Sequence, residues 1–165
     1  AASDVYKRQG QNQIWTCTEY KFRKEGRLLT SGGMGTMGYS VPAAIGAKMA
    51  DNSRATVAIC GDGAFQMSFM ELATAVQFGV DIKVVVMTNN RLGMVRELQT
   101  NGYHDRQTAV FLDGSPDFIK LAEAYGIPAM RVYDDDTMEK GVEMLAEHKG
   151  ICLVEVVVDK DMPTL

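Results

Sequence analysis

The sequence predicts an α/β protein with a doubly wound, mostly parallel sheet flanked by helices, and three observations lead there. Thr56-Val57-Ala58-Ile59-Cys60 and Ile82-Lys83-Val84-Val85-Val86-Met87-Thr88 are apolar runs rich in β-branched residues and too short for typical helices, the pattern of strands covered on both faces. The stretch from about Gln66 to Phe78, with Met70, Leu72, Ala73 and Val76, reads as a helix crossing between them. The alternation then continues: a helix carrying Phe118, Ile119, Leu121, Ala122 and Tyr125 and stopped by Gly126, a strand from Ala129 to Tyr133, a helix with Met138, Val142 and Leu145, and a last strand from Ile151 to Val158.

Size and composition bound the function. At 165 residues the chain is one domain, taken here as residues 10–165, and 46% hydrophobic with 23% charged residues is the balance of a globular core, not of a disordered tail. A net charge of −4 argues against nucleic acid or an anionic membrane as partner. No apolar run approaches spanning length, and no signal peptide is visible. Cys17, Cys60 and Cys152 are odd in number and far apart. They read as buried thiols of a cytoplasmic protein, not as a disulfide framework or metal cage. Residues 1–9 carry no initiator Met and end in polar Tyr6-Lys7-Arg8-Gln9. They read as a non-native or truncated segment and are set aside.

The elements before the first apolar run follow in order. Gln11 to Gln13 place polar side chains at another strand end, and helical text runs from Ile14 to Phe22. Lys21, Arg23, Lys24 and Arg27 form a basic patch expected to be solvated. The glycine-rich segment Gly32 to Gly38 implies positive φ or a close backbone approach, with Met37 as a bulky apolar group inside it. Pro42 stands where a first helical turn begins, and Ala43, Ala44, Gly46, Ala47 and Ala50 give that helix a small-residue face suited to an interface or to tight docking on the sheet. Asp134-Asp135-Asp136 resembles a metal cluster, but its position just before a helix makes N-capping the better account.

The chemistry concentrates at two strand ends. Gly61-Asp62-Gly63 follows the first run and Asn89-Asn90 the second, with 25 residues between the motifs. Parallel strands put both at one sheet edge, where open α/β sheets bind ligands. Asp62 and Asn89 offer hard oxygen donors of the kind Mg²⁺ accepts, and Mg²⁺ completes its shell with waters and phosphates. Gly61 and Gly63 let the backbone turn sharply beneath a phosphate. Each string alone is an ordinary turn; the pair across a strand–helix–strand unit points to a diphosphate held through a metal.

With Gly10-Gln11-Asn12-Gln13-Ile14-Trp15, Thr30-Ser31-Gly32-Gly33-Met34-Gly35-Thr36-Met37-Gly38, Pro42-Ala43-Ala44-Ile45-Gly46-Ala47 and Leu92-Gly93-Met94-Val95-Arg96, these motifs resemble the carboxy-terminal cofactor-binding domain of the acetolactate synthase large subunit from Gly10 to Leu165. The resemblance implies the thiamine-diphosphate-binding fold, with thiamine diphosphate and Mg²⁺ as cofactors. It implies metal contacts from Asp62, Asn89 and the backbone carbonyl of Arg91, and diphosphate contacts from Asn12 and Gln13. Gly61, Gly63 and Ala64 would approach the same group, with Leu92 and Met94 beside it. Met37 would support the bent cofactor, and the Gly35 carbonyl would accept a bond from its 4′-amino group. Leu98 would line the substrate pocket. Two departures stand out: Asn12 replaces a His, which removes an ionic contribution, and Leu98 replaces a Trp, which weakens selection of the second substrate.

The implied reaction is decarboxylation of pyruvate and carboligation to a second 2-oxo acid, as in branched-chain amino acid biosynthesis. No catalytic residue is expected in this chain, because the activating Glu of the family lies on a separate amino-terminal domain. Glu71 reads as structural. The segment from Asn101 to Gly114 would be mobile over the site, with His104 solvated. Expected partners are small 2-oxo acids and a second copy, as a homodimer or tetramer through these domains; the resemblance also allows FAD and a regulatory small subunit. Other thiamine-diphosphate decarboxylases or carboligases share these motifs, as does a 2-oxoacid:ferredoxin oxidoreductase β subunit, although clustered cysteines for an iron–sulfur centre are missing. A non-catalytic cofactor-binding module is the reading of a different class.

Overall fold

A computed structural model describes residues 3–7, 10–21 and 27–164. In chain order these form β1 (Ser3–Lys7), α1 (Gln11–Glu19), β2 (Arg27–Thr30), α2 (Ser40–Ala50), β3 (Ala55–Gly61), α3 (Asp62–Phe65), a 3₁₀ turn (Phe69–Glu71), α4 (Leu72–Gln77), β4 (Lys83–Thr88), α5 (Gly93–Gly102), α6 (Phe118–Ala124), β5 (Ala129–Val132), α7 (Asp135–Glu147) and β6 (Cys152–Val157). The six strands make one sheet in the order β2-β1-β3-β4-β6-β5. Every pairing is parallel, so the doubly wound α/β expectation holds. After β2 the chain returns across β1 to lay down β3 on its other side, which makes the β1–β3 boundary the point where strand order reverses. Ligands of such sheets bind outside the carboxyl ends at that boundary.

The core explains why the predicted runs are strands. Val84 and Val86 of β4 and Ala58 and Cys60 of β3 are fully buried, and they join Val41, Ala44 and Ile45 of α2 and Phe65 and Phe118 in one apolar cluster. The last two rings meet edge to face, with centroids 5.3 Å apart. Asp134 caps α7 by accepting from Thr137 N at 2.9 Å, while Thr137 Oγ1 accepts from Asp134 N at 3.1 Å. The acidic run therefore serves a helix end. No helix among the described residues is long and apolar enough to cross a membrane.

Several expectations are corrected. Ser3–Lys7, set aside in the sequence, is β1, paired on both sides. Backbone hydrogen bonds to two neighbouring strands hold it where so short an apolar pattern gave no signal. Gln11 to Gln13 do follow a strand, β1, but the helix expected from Ile14 already begins at Gln11, because Gly10 at φ 142° turns the chain directly into it. The helix expected from Gln66 is broken. It starts at Asp62, stops at Phe65 and resumes through the 3₁₀ turn, with Ser68 at φ −147° as the interruption. Arg27, read as part of a basic patch, opens strand β2; it and Lys21 are exposed, whereas Arg23 and Lys24 lie outside the described residues. Pro42 is the third residue of α2, where its missing N–H still falls among the unbonded donors of the first turn. Cys60 and Cys152 are buried, but Cys17 is exposed.

Candidate functional site

The loops that leave β1, β3 and β4 meet at the point of strand reversal, and the Asp62 carboxylate joins two of them. Its Oδ1 accepts from Gly63 N at 2.7 Å, and its Oδ2 accepts from Asn89 N at 3.1 Å and Asn90 N at 2.6 Å. Asp62 is buried at the amino end of α3. Burial pushes its carboxyl above the usual carboxylate range, the three N–H bonds pull the other way, and the negative charge of Glu155 adds to the rise. A cation beside it would restore the charged form.

The second donor, Asn89, is held at both ends of its amide. Its Oδ1 accepts from Arg91 N at 3.1 Å, and its Nδ2 donates to Gln11 Oε1 at 3.0 Å. Asn90 takes φ 54°, a left-handed conformation that Asn tolerates and that turns the chain out of β4. Arg91 and Phe111 then pair as an isolated antiparallel bridge, flanked by Leu92 N to Val110 O at 2.9 Å and Leu112 N to Asn90 O at 3.0 Å.

Facing these groups from the first turn of α1, Asn12 is 6% exposed, yet its Nδ2 has no hydrogen-bond partner. A buried amide donor without an acceptor is costly, so this one marks a place for an acceptor that the chain does not supply. Its side chain passes between two glycines: a Cβ at Gly10 would come within 2.9 Å of Asn12 Oδ1, and one at Gly61 within 3.7 Å. Gly63 is tighter still, for a Cβ there would meet Leu92 Cδ2 at 2.9 Å, Leu112 Cδ1 at 3.0 Å and Met37 Cε at 3.5 Å. Met37 packs against the core cluster, and the loop carrying it turns at Gly35, φ 58°, and Gly38, φ 97°.

One cavity collects these residues. Asn12, Gly35, Met37, Gly61, Asp62, Gly63, Ala64, Asn89, Arg91, Leu92 and Met94 all line it. Two expected residues do not. Gln13 points elsewhere, its Nε2 donating to Thr30 Oγ1 at 2.8 Å, because one helical residue beyond Asn12 the side chain has swung to another face of α1. Leu98 is 60% exposed on α5, one turn beyond Val95, which does line the cavity. Gln11, Trp15, Gly93 and Val158 also line it and were not singled out from the sequence. Gln11 and Trp15 share a motif with Asn12, and Gly93 stands between Leu92 and Met94, which is the signal that could have found them; Val158 had none.

Comparison with known proteins bears on this geometry directly. Residues 8–156 match the family model "Thiamine pyrophosphate enzyme, C-terminal TPP binding domain". The chain belongs to that family. The thiamine pyrophosphate (thiamine diphosphate) of the family name is the cofactor of this domain. Within the family, the chain is similar to the mitochondrial acetolactate synthase catalytic subunit of Aspergillus candidus, at 43% identity over 156 residues, 94% of this chain and 22% of the relative. It is 41% identical to the acetolactate synthase large subunit of Lactococcus lactis over 92% of this chain and 26% of the relative. It is 39% identical to the probable large subunit of Methanocaldococcus jannaschii over 91% of this chain and 25% of the relative. The chain thus spans about a quarter of the length of these relatives.

The donor set fits the diphosphate end of that cofactor. The orphan Asn12 amide would find its acceptor in a phosphate oxygen, and the glycine backbone at Gly61 and Gly63 leaves room for it. Among the described residues no group of three or more His, Cys, Asp or Glu is placed to hold a metal ion. A cation here would therefore take one carboxylate, neutral oxygens and the ligand's own phosphates, a shell that Mg²⁺ accepts.

Proposed function

We propose that this domain holds thiamine diphosphate and Mg²⁺ for an acetolactate synthase-like enzyme that decarboxylates pyruvate and joins the product to a second 2-oxo acid. The observation that supports it most is the convergence of Asp62, Asn89 and the partnerless Asn12 amide on one cavity at the strand reversal. Asp62, the Asn89 side chain and the Arg91 carbonyl would ligate the cation. Asn12 would donate to the diphosphate, and Gly61, Gly63 and Ala64 would line its bed. Met37 would brace the middle of the cofactor, with the Gly35 carbonyl accepting from its amino group and Leu92 and Met94 closing the apolar side. When bound, the cofactor supplies the nucleophilic carbon and the electron sink for 2-oxo acid chemistry. The chain's part is to bind it, orient it and keep water from it.

The activating Glu belongs to a domain outside this chain, so the isolated chain is read as incomplete. Assembly into a homodimer or tetramer is supported by exposed Met49, Met70 and Phe78 on one set of helices and turns. Leu98, exposed here, would wall the substrate pocket once other domains are in place. FAD and a regulatory subunit would engage parts of the protein beyond this domain. The buried thiols of Cys60 and Cys152 suit a reducing compartment, the cytoplasm or, as in the relatives named mitochondrial, an organelle matrix.

Isothermal titration of the full-length protein with thiamine diphosphate tests the reading. Binding that requires Mg²⁺ and disappears in Asp62→Ala is expected. Binding indifferent to both would refute it.

A further inference from the structure

Gln11 is 5% exposed, and both ends of its amide are engaged. Its Nε2 donates to the Met162 carbonyl at 2.9 Å, and its Oε1 accepts from Asn89 Nδ2 at 3.0 Å. The O and N ends of an amide are told apart only by what they bond, and here the chain of partners leaves one choice. A backbone carbonyl can only accept, so Gln11 must turn its NH₂ to Met162. That leaves Oε1 for Asn89, which must in turn present its own NH₂. Asn89 Oδ1 is then directed away from Gln11, toward Arg91 N and the cavity. Two side-chain amides are thus oriented by one carbonyl in the segment after β6. The same segment is pinned beside them by Trp15 Nε1 to Pro163 O at 3.1 Å and by Thr164 N to Glu97 Oε1 at 2.6 Å. Gly93 completes the arrangement, because a Cβ there would run into the Gln11 amide. The requirement at position 93 is space for Gln11, not an unusual backbone angle.

We propose that Gln11 is the positioning residue that fixes the Asn89 amide with its oxygen toward the cation site, and that Gly93 and the Met162 carbonyl hold Gln11 in that role. This rests on the cofactor reading above. Groups behind a metal ligand that orient it typically change metal affinity by about 10- to 100-fold.

The test is Mn²⁺ binding to the full-length protein at saturating thiamine diphosphate, read as loss of the free-ion electron paramagnetic resonance signal. Gln11→Ala should weaken Mn²⁺ by about tenfold or more. In an Asn89→Asp background the two ligand oxygens are equivalent and need no orienting, so adding Gln11→Ala should cost less than about threefold. Gly93→Ala, which displaces Gln11 without deleting it, should show the same dependence on background and serves if Gln11→Ala does not fold. An equal loss in both backgrounds would overturn the proposal, since Gln11 would then act through its own contact with the ligand or through general stability. Absence of Mn²⁺ binding in the unsubstituted protein would overturn the cofactor reading and this proposal together.

Discussion

The Arg91 guanidinium lies over the ring of Phe111, its Cζ 4.7 Å from the centroid, while Nη1 reaches Asp113 at 2.9 Å. The strand end that carries Asn89 and Arg91 is therefore tied to the loop 109–113 by a stacked cation and an ion pair as well as by backbone bonds. The two side-chain ties differ in strength. Asp113 is 75% exposed at its side chain, so its ion pair is screened, whereas stacking on a half-exposed ring contributes about 0.5–1 kcal/mol. Phe111→Ala should weaken metal-dependent cofactor binding by about threefold to fivefold. Asp113→Asn should change it less than about twofold, with the difference vanishing at high salt. Titration at two ionic strengths separates the two.

Gly63→Ala should leave the fold intact and damage the site. The atoms its Cβ would meet are the tips of Leu92, Leu112 and Met37, flexible ends that can give at a cost of about 1–3 kcal/mol. Leu92 and Met37 also line the cavity, so shifting them reshapes it. Urea denaturation should show a modest loss, and thiamine diphosphate titration a larger one.

Phe65 is fully buried, follows Asp62 in the same short helix and packs edge to face on Phe118. Phe65→Ala should cost about 3–5 kcal/mol in urea denaturation. Phe118→Leu, which keeps most of the volume, should cost about half of that or less.

Asp134 gives a pH signature away from the cavity. The Thr137 hydroxyl and N–H donate to its carboxylate and hold it below the usual range. A depressed folded value stabilises the protein above the ordinary Asp value of about 3.9, and the contribution fades as pH falls through the folded value. Asp134→Ala should therefore melt below the parent at neutral pH, and the two melting curves should converge on acidification past that point. A gap that persists at low pH would mean that the cap acts through something other than the carboxylate charge.

The sequence made the β3-to-β4 half of the site readable because its signals are local: an Asp and an Asn at the ends of two β-branched runs. Asn12, Met37 and Gly35 were reached through resemblance, and the cavity gathers them with the rest. What escaped was set by tertiary contact. β1 is held by two neighbours, β2 is a four-residue edge, and the break at Ser68 interrupts an otherwise helical pattern. Gln13 was assigned to the site through the same resemblance, but α1 begins early enough to turn it toward Thr30. Gln11 went unnoticed because its role depends on a carbonyl 151 residues away.

The cavity draws on residues 10–12, 61–64, 89 and 91–95, which lie at or beyond the carboxyl ends of three strands adjacent in the sheet and far apart in the chain. None of these segments can offer the site alone, so a cofactor bound there is linked to the register of β1, β3 and β4 at once. Fraying of β1 is then an event the ligand opposes. In hydrogen exchange, occupancy should slow the amides of β1 and β3 well beyond those in direct reach of the ligand.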